Sequence, residues 1–163
     1  MSVFLNVRKT LVISLIVVIL DGLLVYYLPS YFNKLNYFYP MLTISLIPFI
    51  YLINKKDYYL IIIILGIIYD LLYSNIFLYN VILFLIIISI DIKIMNYYKN
   101  SLILFVLLTI LNIFIYDFIS FILIILTGYQ FITFFDLIYK IKHSIFLNIM
   151  SVYVYWFLFK NII

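Results

Sequence analysis

Residues 61–90 read IIIILGIIYDLLYSNIFLYNVILFLIIISI. From Ile61 to Ile90 the run is almost unbroken in Ile, Leu, Phe and Tyr, yet Gly66, Asp70 and Ser74 fall four residues apart. On a helix that spacing puts a glycine notch, a carboxylate and a hydroxyl on one face. The run is too long and too apolar for a soluble core strand or helix, and reads as two membrane spans joined by the short turn Ser74-Asn75. A carboxylate inside such a span is costly and marks a functional or partner-contact position.

The composition around this stretch agrees. The chain is 69% hydrophobic and only 10% charged, with a mean hydropathy of +1.32, far from the soluble balance of roughly half apolar and a quarter charged. Its 163 residues hold one all-α bundle of about six spans, a single polytopic domain over residues 1–163 with no soluble domain. Ala, Glu and Cys are absent, so disulfides, thiolate catalysis and cysteine metal sites are excluded. The single histidine, His143, argues against a histidine metal site. The excess of Ile, Phe, Tyr and Asn follows AT-rich codons, which lowers the weight of Tyr and Asn as signals. The net charge of +4 comes from ten Lys and Arg scattered in ones and twos; these orient the chain in a bilayer and are no nucleic-acid footprint.

The expected spans are 10–28, 37–53, 58–73, 76–92, 101–127 and 144–160. Arg8-Lys9 precedes an apolar run of signal-anchor length without a small-residue cleavage site, so the first span is expected to remain. Pro40 suits a first helical turn, whereas Pro48 is expected to kink the second span. The fifth span exceeds the roughly 20 residues a bilayer needs, and is expected to tilt, to break near Asp117 or to project. The segment Pro29 to Pro40 is an aromatic-rich loop suited to the outer interface. From 130 to 143, Thr133, Asp136, Lys140 and His143 recur at helical spacing opposite Phe131, Phe134, Phe135, Ile138 and Ile141. That pattern predicts an amphipathic surface helix, opened by a capping box at Thr133-x-x-Asp136. Seven basic residues (Arg8, Lys9, Lys55, Lys56, Lys93, Lys99, Lys160) fall on one side and three (Lys34, Lys140, Lys142) on the other. The positive-inside rule then places both termini in the cytoplasm.

The polar residues within the spans form faces. Asn80 and Asp91, eleven apart, share one; Ser144, Asn148, Ser151 and Tyr155 form a stripe; Thr109, Asn112, Tyr116, Asp117 and Ser120 cover an arc. These faces are expected to meet inside the bundle. For Asn148 and its neighbours the simpler reading is interhelical hydrogen bonding. Asp21 and Asp117 admit both a structural and a functional reading, and Asp91 reads as a cytoplasmic-end residue beside Lys93. No Ser–His or Ser–Lys pair is placed for nucleophilic work, and no Asp precedes an Arg as in the lipoprotein signal peptidase signature. No catalytic, cofactor or metal-ligating residue is expected.

The stretch from Gly66 through Asp70, Tyr73 and Ser74 to Asn80 resembles the most recognisable segment of MreD, the rod shape-determining membrane protein family of bacteria. Leu78 stands where that family usually has glycine. The similarity extends to Pro40 opening a short second span, to the basic turn Lys55-Lys56, and to the polar stretch from Lys140 to Asn148. The resemblance implies a non-enzymatic, multi-pass scaffold of the cell-elongation machinery in the bacterial cytoplasmic membrane. It implies an MreC-like single-span partner and, through it, an MreB-like filament, a RodA-type glycosyltransferase and its transpeptidase. It also implies a six-helix fold like that of the substrate-binding subunits of energy-coupling-factor vitamin transporters, which supply the rival reading. Those subunits typically dock through an alanine-based small-residue stripe on the first span, where this chain offers only Ser14 and Gly22.

Overall fold

The computed structural model describes residues 2–27, 42–53, 57–73, 76–99, 101–127 and 133–159. Among them every regular element is an α-helix: α1 (Ser2–Tyr27), α2 (Leu42–Ile53), α3 (Tyr58–Tyr73), α4 (Tyr79–Tyr97), α5 (Leu102–Thr127) and α6 (Phe134–Phe159). The loop 29–40, the turn Ser74-Asn75, Lys55-Lys56 and residues 130–132 lie outside the described residues, as does the side chain of His143.

The ends of the helices follow local chemistry. α5 runs for 26 residues because neither Gly nor Pro interrupts it before Gly128. Ser101 caps it, its hydroxyl accepting the Leu104 N–H at 3.2 Å. It continues through Asp117 without a break. α6 begins at the expected capping box: the Asp136 carboxylate accepts the Thr133 N–H and hydroxyl, each at 2.8 Å, and the Asp136 N–H points back to the Thr133 hydroxyl at 3.4 Å. The amphipathic segment is not a separate helix, however. It is the first turns of the same continuous 26-residue helix that carries the last apolar run, since nothing between Phe134 and Phe159 breaks the hydrogen-bond ladder.

α2 is the centre of the molecule. Every residue from Thr43 to Ile50 is buried, and among the described residues α2 alone packs against all five other helices. It passes through Pro48 without ending. Phe49 stacks on Phe105 of α5 with ring centroids 4.3 Å apart and meets Tyr155 of α6 at 5.7 Å, edge to face. α3 and α4 form a tight antiparallel pair, as do α5 and α6.

The distribution of polarity is inverted relative to a water-soluble protein. Val12, Ile16 and Ile19 on α1, Ile103 and Phe114 on α5, and Phe146 and Phe157 on α6 are exposed, while Asp21, Asp70, Asp91 and Asp117 are buried. Among the described residues two helices, α4 and the Leu102–Leu123 portion of α5, are long and apolar enough to cross a membrane, and α2 and α3 are shorter apolar helices.

Candidate functional site

The Gly66–Asp70 stripe is closed by the neighbouring helix of the same chain. A Cβ on Gly66 would lie 2.6 Å from the Cα and 2.9 Å from the backbone nitrogen of Val81. The glycine is therefore what lets the backbones of α3 and α4 touch. One turn further along, Asp70 Oδ1 accepts two hydrogen bonds from Asn80, the backbone N–H at 2.9 Å and the side-chain Nδ2 at 2.7 Å. Asn80 in turn accepts the Tyr116 hydroxyl of α5 on its Oδ1 at 2.6 Å. Asp70 and Asn80 are each 2% exposed. Three helices are thus joined by a continuous buried chain, Asp70 to Asn80 to Tyr116.

Asp70 also replaces a missing cap. The residue preceding α4 is Leu78, which has no side-chain oxygen to offer the first turn and sits in the left-handed region at φ 65°. The free N–H groups of a helix start attract an anion, and α3 supplies it. Glycine adopts this conformation without strain, and leucine does not.

Asp21 does the same for α2. Its Oδ1 accepts the Leu42 N–H at 2.8 Å, and its Oδ2 accepts the Thr43 N–H at 3.0 Å and the Thr43 hydroxyl at 2.6 Å. A carboxylate on α1 therefore caps the central helix across the bundle. Tyr73, another residue singled out from the motif, ties α3 to α1: its hydroxyl donates to the Val18 carbonyl at 2.7 Å, and its ring end fills the space beside Gly22.

Asp117 meets a cation. Lys140 Nζ lies 2.7 Å from its Oδ1, with the carboxylate side chain wholly buried, and the ammonium sits 5.8 Å from the centre of the Tyr116 ring. The α5–α6 contact thereby brings the amphipathic stretch onto the polar arc of α5. Asn148 lies at the polar centre of α6, donating from Nδ2 to the Ser144 carbonyl at 2.8 Å and accepting the Ser151 hydroxyl on its carbonyl at 2.7 Å. Ser151 and Ser45 then link α6 to α2 at 2.6 Å. Ser74 lies outside the described residues.

Asp91 lies on the inward face expected from its spacing to Asn80, and is not the water-reached end residue that its place beside Lys93 suggested. It has no exposed surface, and its Oδ2 accepts Asn112 Nδ2 of α5 at 2.9 Å. Helix phase, not distance along the chain, decides exposure: Asp91 shares the inward face of Asn80, while Lys93 is exposed. Sequence reasoning also missed Thr43, since nothing local signals a partner 22 residues away, and it did not pair Lys140 with Asp117. Among the described residues no group of three or more His, Cys, Asp or Glu is placed to hold a metal ion. Comparison of the chain with protein-family models, curated proteins and solved structures finds no match.

Proposed function

We propose that this chain is a non-enzymatic multi-pass scaffold of the bacterial cell-elongation complex, a bundle of six membrane spans in the cytoplasmic membrane with Arg8-Lys9 and Lys160 on the cytoplasmic side. It docks an MreC-like single-span protein and so links an MreB-like filament to a RodA-type glycosyltransferase and its transpeptidase. The observation that carries the reading is the role of the motif that resembles MreD. Gly66, Asp70 and Asn80 act together as one interhelical clasp, a use suited to a protein whose task is to hold a shape. Since α4 already fills the Gly66 notch, the partner helix docks on an outward apolar face and senses the stripe only through the geometry it imposes. The inverted polarity, with aliphatic residues outside and four aspartates inside, supports the membrane setting.

The rival is a substrate-binding subunit of a vitamin transporter. Among the described residues of α1 its usual docking stripe has no counterpart: the Ser14 hydroxyl is buried and donates to the Thr10 carbonyl, and Gly22 is covered by Tyr73. Depletion in a rod-shaped host, with affinity purification of the tagged chain, tests the choice. Rounded, widening cells and recovery of a single-span coiled-coil protein are expected. Normal shape together with a vitamin retained at one per chain would overturn the scaffold in favour of the transporter subunit.

A further inference from the structure

Three of the four buried aspartates have a positive counterpart. Asp21 faces the start of α2, Asp70 faces the start of α4, and Asp117 faces Lys140. Asp91 has none of these. It lies in the C-terminal half of α4, far from the favourable end of that helix. Lys93, two residues on, is exposed and so cannot share its face. One neutral amide is the partner the structure gives it.

On these two helices three buried oxygens have no hydrogen-bond partner: Asp91 Oδ1, Asn112 Oδ1 and, on α5, Thr109 Oγ1. The first two are each two covalent bonds from the 2.9 Å contact between Asn112 Nδ2 and Asp91 Oδ2. Thr109 precedes Asn112 by three residues, so it occupies the same face of α5 one turn away, and it too is wholly buried. A carboxylate, an amide carbonyl and a hydroxyl are hard oxygen donors of the kind that bind alkali and alkaline-earth ions. With Asp91 ionised, their combined charge is that of one carboxylate. A divalent ion would leave a net positive charge in an apolar interior, which is costly. A water molecule could satisfy the acceptors but not balance the charge.

We propose that Asp91, Asn112 and Thr109 bind one monovalent alkali cation between α4 and α5, clamping the two helices together. This holds whether or not the chain is a scaffold. The site has its own reporter, because Trp156 of α6 packs on Phe105 with ring centroids 5.7 Å apart, one turn before Thr109 on α5.

The test uses the full chain in lipid nanodiscs. Thermal unfolding is followed by tryptophan fluorescence while Na⁺ or K⁺ replaces choline at constant ionic strength, and radiolabelled sodium measures stoichiometry. A saturable rise in Tm with Na⁺ or K⁺ and one ion per chain are expected. Asp91→Asn should abolish both effects, and Thr109→Val should weaken cation affinity about tenfold, the loss of one ligand contact. A wild-type chain that responds to alkali ions no more than to choline overturns the proposal. So does unchanged cation affinity in Thr109→Val, which decides the matter should Asp91→Asn fail to fold. The first result would leave the carboxyl neutral or hydrated; the second would place the cation away from Thr109.

Discussion

Asp70 on α3 and Asn80 on α4 are joined twice, through the Asn80 backbone N–H at 2.9 Å and its side-chain amide at 2.7 Å, both to the same carboxylate oxygen. One bond caps the start of α4 and the other pins a side chain that Tyr116 of α5 also holds. One carboxylate thus contributes to the α3–α4 hairpin and, through Asn80, to its attachment to α5.

Two substitutions separate the parts of this clasp. Gly66→Ala places a methyl against the Val81 backbone, which cannot yield as a side-chain tip can, and should cost about 1–3 kcal/mol. Asp70→Leu leaves the Asn80 amide and the α4 start unpaired and should cost about 1–2 kcal/mol. Unfolding titrations in mixed micelles measure both. An Asp70/Asn80 double-mutant cycle should show coupling of about 0.6–1.7 kcal/mol; additivity would mean that the two side chains do not interact.

Leu78 offers the opposite change. It holds a left-handed conformation at φ 65° and is 41% exposed, so its side chain is only partly buried. Leu78→Gly removes the steric conflict and should raise stability by about 1 kcal/mol. A lowered unfolding midpoint would show that Leu78 packing outweighs its strain.

The pair of Asp117 and Lys140 should be unequal to its parts. Lys140→Met strands a fully buried carboxylate and should cost about 3 kcal/mol, whereas adding Asp117→Leu should recover most of that loss. Thermal unfolding of the single and double variants decides. Equal destabilisation by both would mean that the pair's packing, not its charge, matters.

At the start of α6 the sign of a pH effect is fixed. The Thr133 backbone N–H, then its hydroxyl, hold the Asp136 carboxyl below the ordinary carboxylate value. Its contribution is complete above the unfolded value of about 3.9 and is lost as the pH falls through the lower, folded value. Amide hydrogen exchange between Thr133 and Leu137, corrected for intrinsic rates, should lose protection in acid, and Asp136→Ala should show that loss already at neutral pH. Protection that is unchanged in acid would rule out the capping role.

Much of this architecture was legible because it is periodic or local. The bounds of α3 and nearly those of α5 follow from apolar runs ended by turn residues, and the Thr133–Asp136 box lies within one turn. The inward faces of Asn80 with Asp91 and of Ser144 with Asn148 follow from helical phase alone. Partners do not. Asp21 finds Thr43, Lys140 finds Asp117, and Asn112 finds Asp91 only once the helices have docked, because a helix specifies which residues share a face but not which helix covers it. The central place of α2 is likewise tertiary: a 12-residue helix with Pro48 inside it is weak as a local element, and the packing of five neighbours around it supplies what its own sequence lacks.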